Sequence, residues 1–211
     1  MNVIASSSWF LPAAGLVAGS VLGYVARGQR FCTMSALERY WYAGDGSGLR
    51  TWILAAVSAM LITQTLSAFG LATPNDSFYV YSDFAWTGAV LGGTMFGVGM
   101  ALAGTCGFGA LVRLGGGSLR SLVVLVVLAI AALSAQKGLI AQARVYIIDD
   151  LALDFSYAGG QSLASIASYY AGSDVTGPIT LLVAAPLLLW ILADAEYRQR
   201  PRAIVTGTLV G

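Results

Sequence analysis

The sequence contains no histidine, a single lysine (Lys137) and only two cysteines. Without histidine there is no Ser-His-Asp triad, no imidazole base and no imidazole-bound metal. Two cysteines fall short of a four-ligand zinc site, and Cys32 and Cys106 are far from the CxxC spacing of a redox motif. The chain is therefore read as having no catalytic residue, no metal and no cofactor. Charge is scarce too: Asp, Glu, Lys and Arg make up 10% of 211 residues, against about 25% in ordinary soluble domains. So few charges would not cover the surface of a water-soluble globule, which excludes a soluble enzyme as the default. A net charge of +1 without a long basic block gives no nucleic-acid surface. The opening MNVIASSSWF has no basic residue, so the apolar run that follows does not read as a cleavable secretion signal.

What is present is apolar. Hydrophobic residues make up 57% of the chain and the mean hydropathy is +0.76, which argues against disorder and for an integral membrane protein. A helix needs about 20 mainly apolar residues to cross the hydrocarbon core. Uncharged stretches at 9–26, 51–72, 84–112, 121–136 (continuing past Lys137 to 140) and 178–193 give an expected count of five spans. The linking segment 141–177 is too long for a simple turn. Small residues at helical spacing after Gly159-Gly160 suit a short surface helix there, although a structured loop without function is the preferred reading.

The connections alternate in charge. Residues 27–50 hold Arg27, Arg30, Arg39 and Arg50, and Arg113 and Arg120 follow the third span. Arg198, Arg200 and Arg202 follow the fifth. The second and fourth connections are mainly acidic, with Asp76, Asp83, Asp149, Asp150, Asp154 and Asp174. The positive-inside rule then places the N-terminus outside and the arginine-bearing connections in the cytoplasm. Aromatic clusters at 40–42, 79–86 and 169–170 sit where interfacial anchors belong.

An internal repeat marks both cysteines. Gly19-x3-Gly23 leads to Cys32, Ala36, Leu37 and Arg39, while Gly93-x3-Gly97 leads to Cys106, Ala110, Leu111 and Arg113. Every equivalent pair is 74 residues apart. Repeat 1 is read as about 9–72 and repeat 2 as about 84–140, within one membrane domain covering 1–211. Such repeats are a recurring way to build transport folds. Gly104, Gly107 and Gly109 each weaken a continuous helix by about 1 kcal/mol relative to alanine, so a break is expected around Cys106. Irregular backbone at membrane depth persists only when it is buried in protein or lines a cavity. The segment around Cys32 suits a short re-entrant or interfacial helix, and both cysteines are expected where two such elements converge. A single membrane cysteine is more often a small buried hydrophobe, and arginines at span ends more often set topology; equivalent placement in two copies reverses the odds for the cysteines, less so for Arg39 and Arg113.

After RQRPR, residues 203–211 are uncharged and too few to span, yet Gly207-x3-Gly211 restates the opening of the repeat. The chain is therefore expected to be the N-terminal part of a longer protein whose second half is inverted. A natural stop codon directly after Gly211 would count against that.

The stretches RGQRFCTMSAL and GGTMFGVGMALAGTCGFGALVRLGGGS resemble the YeeE/YedE family of sulfur-transport membrane proteins, which includes thiosulfate permeases; the match covers roughly 15–140. The resemblance implies an α-helical fold with short helices dipping into the bilayer and single cysteines at the constrictions of a narrow pathway. Carried over, Cys32 and Cys106 become substrate-contacting thiols. Thr105 stands where many relatives have glycine. Thiosulfate is a dianion with a soft terminal sulfur; a neutral thiol offers a weak S–H donor that binds without trapping, whereas a thiolate would repel it. Helix-start N–H groups would offset its charge, and Arg27, Arg30, Arg39 and Arg113 would attract it at the cytoplasmic mouth.

Three functions compete. The first is a permease for a small sulfur-containing anion, most simply thiosulfate, in a bacterial-type inner membrane. Its partners would be the lipid bilayer, the sulfur oxyanion and a cytosolic sulfur-carrier protein, with no nucleic acid. The second is a membrane-bound sulfur-transfer enzyme using a cysteine persulfide, disfavoured because no obvious base lies near either thiol. The third is an assembly subunit in which the glycine motifs only pack helices.

Overall fold

The computed structural model describes residues 9–29, 31–72, 83–138, 141–142, 153–158 and 161–211. Arg30 and the acidic residues of 73–82 and 143–152 lie outside them. Among the described residues the chain is built almost entirely of helices: α1 (Phe10–Gly28), α2 (Thr33–Ala43), α3 (Ser47–Ala68), α4 (Trp86–Ala103), α5 (Gly107–Gly115), α6 (Leu119–Lys137), α7 (Leu163–Ala171), α8 (Thr176–Ala193), α9 (Ala195–Arg198) and α10 (Pro201–Val210). This is an all-α, multi-pass membrane architecture. Four segments are long and apolar enough to cross a bilayer: Ser47–Ala68, Trp86–Gly115, Leu119–Lys137 and Thr176–Ala193. The remaining expected span, 9–26, falls on the 19-residue α1.

The uncharged runs make these helices, and local chemistry ends them. Left-handed glycines at Gly44 (φ 67°), Gly104 (φ 65°) and Gly172 (φ 66°) stop α2, α4 and α7, a conformation that only glycine adopts without strain. Asp194 starts α9 by accepting the Tyr197 N–H at 3.0 Å, and Ser162 starts α7 by accepting the Ser165 N–H at 3.0 Å. The preferred structured-loop reading of 141–177 thus gives way to the short helix α7 within it. One element had no signal at all: a two-residue antiparallel ladder pairing Asp83–Phe84 with Leu153–Asp154.

Helix α3 is the hub, with α2, α8 and α10 packed on it. Thr51, Leu54, Ala55 and Val57 are its buried residues. Leu54, Ile191 and Tyr197 form one core cluster, and Ala26, Phe31 and Ala55 the other. Tyr197 and Thr51 join through their hydroxyls at 3.2 Å. Arg50 pairs with Asp194 at 2.8 Å and lies 5.0 Å over the Trp190 ring. Segment 203–211, expected as the start of a further span, is most of α10. There Gly207 permits close approach, since a Cβ on it would fall 3.0 Å from the Thr51 carbonyl oxygen.

By contrast, α4 buries no residue and α6 buries only Ser121. Gly19, Gly23, Gly93 and Gly97 have nothing within 4 Å of a would-be Cβ among the described residues. In a bilayer such apolar faces suit lipid or another helix. The connections meet by charge class: the β ladder joins the second to the fourth at one end, and at the other Arg200 reaches Asp45 at 3.5 Å.

Candidate functional site

Both cysteines occupy the same local structure. Cys32 (φ −153°, ψ 128°) is the N-cap of α2, and Cys106 (φ −82°, ψ 164°) is the N-cap of α5. Extended backbone at an N-cap lets the side chain fold back over the first free N–H groups of the helix it starts. In each, the cysteine carbonyl accepts the first helical bond, from Ala36 N–H at 3.0 Å and from Ala110 N–H at 2.9 Å. Ala36 and Ala110 are buried, while Leu37 and Leu111, the next landmark pair, are exposed. The break expected near Cys106 runs from the left-handed Gly104 through Thr105 to Gly107, the first residue of α5.

The two N-caps converge. Cys32 Sγ lies 3.5 Å from Cys106 Sγ, and both thiols are free. They are 7% and 4% exposed, so neither faces acyl chains. Thr105 Oγ1 is 3.9 Å from Cys32 Sγ, and the Gly109 N–H donates to Cys106 Sγ at 3.2 Å. Gly109 is required by space: a Cβ there would sit 2.8 Å from both Cys32 Sγ and Thr105 Oγ1. Gly107 is looser, its nearest neighbour being Leu128 Cδ1 at 3.4 Å. Because each cysteine caps a helix, the positive ends of α2 and α5 meet at the sulfur pair, an arrangement that favours an anion.

Phe31 and Cys32 line two cavities. One, of about 380 Å³, is also walled by Ala36, Arg39, Thr51, Trp52, Arg200 and Arg202. The other, of about 500 Å³, adds Arg27, Ser35, Gly109, Val112 and Arg113. Each is far larger than the roughly 15 Å³ that holds one water. No carboxylate lines either wall among the described residues. The repeat-equivalent Arg39 and Arg113 thus fall in different cavities. Arg39 Nε donates to the Ser35 carbonyl at 3.3 Å. Arg27 lies across Gly116, so close that any Cβ on that glycine would collide with its guanidinium. Arg200 is paired with Asp45 and Glu196.

The sequence reading missed three parts of this site. An aromatic cluster is built on Phe31, the residue before Cys32: Phe31 stacks on Trp52 at 5.0 Å and meets Phe108 edge-on at 6.0 Å. Phe31 and Phe108 are not equivalent under the repeat, so the offset could not flag them. Arg200 and Arg202 were read as topology charges only. The Arg27–Gly116 contact has no local signature. Glu38, the acid nearest Cys32 in sequence, is exposed on α2.

Residues 27–208, which include both cysteines, match a family described as sulphur transport. Over 112 residues the chain is 33% identical to the thiosulfate transporter TsuA of Escherichia coli (strain K12). That stretch is 53% of this chain and 30% of the relative, so the chain spans less than a third of the relative's length in the match.

Proposed function

Because the chain belongs to the sulphur transport family, we propose that it conducts a small sulfur-containing anion, thiosulfate first among candidates, along a route past Cys32 and Cys106. The observation that carries this reading is the thiol pair, 3.5 Å apart, at two converging helix starts, with Cys32 lining two arginine-walled cavities. The soft terminal sulfur of thiosulfate accepts a weak S–H donor, while its sulfonate oxygens accept from helix-start N–H groups and arginines. Each contact is weak and the next is near, which lets an ion enter and also leave. Since the sulfurs touch each other, passage requires that contact to open, and the width beside it is set by Gly109.

The two cysteine segments are read as copies of one unit: a long helix, a capped short helix and a returning helix. Their short helices α2 and α5 act as the re-entrant elements. With α1 counted as a span, the topology puts the N-terminus outside, the arginine-rich end in the cytoplasm, and the protein in a bacterial-type inner membrane. Arg39 and Arg113 then attract or receive the ion, and a cytosolic sulfur-carrier protein is the natural acceptor. A persulfide enzyme is not favoured: the family and the relative are both described as transport proteins, and exposed Glu38 is no base for a buried thiol.

The test is uptake of labelled thiosulfate and sulfate into liposomes carrying the full-length protein, with native, Cys32→Ser and Cys106→Ser versions. Thiosulfate uptake abolished by both substitutions is the expected result. A cysteine-bound sulfur adduct with turnover and no flux would replace this reading with the enzyme.

A further inference from the structure

We propose that Cys32 and Cys106 form an oxidisable dithiol, a modification site at which a disulfane disulfonate such as tetrathionate joins them in a reversible disulfide. Three observations carry this. The sulfurs are 3.5 Å apart and both free, so a bond of about 2.05 Å needs them to approach by only about 1.5 Å. Both cysteines are N-caps in extended backbone, where a side-chain rotation moves the sulfur without unwinding a helix turn. The space beside Cys32 Sγ is open only because Gly109 has no Cβ.

The surroundings assign the roles. Cys32 lines both arginine-walled cavities, whereas Cys106 lines neither and holds the Gly109 N–H. A dianionic oxidant drawn to Arg27 and Arg113 therefore meets Cys32 first. Cys32 loses its proton to water and attacks a central sulfur of tetrathionate. The central S–S bond breaks, one half of the oxidant leaves as thiosulfate with the electron pair, and the other half stays on Cys32 as an S-sulfonatosulfanyl group (Cys32 Sγ–S–SO3⁻). Cys106 then loses its proton and attacks Cys32 Sγ, displacing the second thiosulfate and closing the disulfide. In sum, two thiols and one tetrathionate give one disulfide, two thiosulfates and two protons. The thiols are oxidised and the oxidant is reduced. The product lacks both S–H groups and ties the starts of α2 and α5 together at Cys32, which lines both cavities. This chemistry rests on the sulfur geometry and not on the identity of the permeant.

The experiment treats purified full-length protein with tetrathionate, then counts free thiols and maps cross-linked peptides by mass spectrometry. Native protein is expected to lose both thiols, release two thiosulfates per chain, show a 32–106 cross-link and recover with reductant. Cys106→Ser is expected to stop at the Cys32 adduct, and Cys32→Ser to leave Cys106 unmodified. Both thiols remaining free in native protein would overturn the proposal, as would separate adducts on the two cysteines or cross-links only between chains. Thiosulfate uptake by the same preparation reports the transport reading separately: a cross-link in protein that shows no flux leaves the dithiol standing and removes the permease.

Discussion

Replacing Gly109 by alanine sets helix propensity against the geometry of the sulfur pair. Gly109 lies in the first turn of α5 without positive φ, so alanine there gains up to about 1 kcal/mol of helix stability. The added Cβ would meet Cys32 Sγ and Thr105 Oγ1 at 2.8 Å and Cys32 Cβ at 3.3 Å. Reaching even the close edge of ordinary contact requires a shift of about 0.6 Å, and overpacking of this kind costs about 1–3 kcal/mol. The net expectation is a loss of up to about 2 kcal/mol, seen as a lower melting temperature in detergent. Because the Cβ pushes on Cys32 itself, thiosulfate uptake into liposomes should fall by about tenfold, equivalent to about 1.4 kcal/mol in the barrier. Gly107→Ala is the control, since its Cβ meets only the flexible tip of Leu128 at 3.4 Å; its uptake should stay near native. Native uptake by Gly109→Ala, with Cys32 alkylated at the native rate, would refute the reasoning.

Cys106→Ser and Cys106→Ala should separate capping from sulfur chemistry. Serine keeps an acceptor for the Gly109 N–H and should melt like native, alanine should lose about 1 kcal/mol, and both should lose uptake; uptake retained by the serine variant would contradict the thiol's role. Gly116→Ala should push Arg27 off the end of α5 and raise the KM for thiosulfate with little change in melting temperature, measured by initial rates across substrate concentrations. The Asp194 carboxyl is held below the usual carboxylate range, first by the Tyr197 N–H that it accepts and then by Arg50. Its contribution is present above the ordinary value of about 4 and is lost as pH falls toward the depressed one. Melting temperature should therefore drop more steeply on acidification in native protein than in Asp194→Asn, and parallel profiles would exclude that contribution.

Long-range architecture was legible wherever charge-free runs stop at arginines or glycines. The runs at 51–72, 121–140 and 178–193 became Ser47–Ala68, Leu119–Lys137 and Thr176–Ala193, shifted by a few residues because each helix begins directly after Gly46, Ser118 or Val175, ahead of the uncharged run. The run at 84–112 carries a break that its glycines announced, since Gly104 takes a left-handed turn and Gly109 abuts a sulfur. What the chain did not disclose depends on contacts across sequence distance. The Phe31–Trp52–Phe108 cluster joins the α1–α2 link to α3 and α5, Arg200 and Arg202 reach the Cys32 cavity from beyond α8, and the ladder at Asp83–Phe84 has too few residues for a periodic signal. Gly19, Gly23, Gly93 and Gly97, the glycine pairs that open the two repeats, meet no neighbour within 4 Å of a would-be Cβ among the described residues, whereas Gly207 packs on α3. Glycine spacing alone does not tell a helix-facing stripe from a lipid-facing one.

The thiol contact itself is open to direct observation with selenosulfate, which carries selenium where thiosulfate carries its terminal sulfur. An anomalous-difference map of the full-length protein crystallised with it should place the selenium peak in contact with Cys32 Sγ or Cys106 Sγ. A peak elsewhere, with those two sulfurs still touching each other and no selenium beside them, would contradict the account.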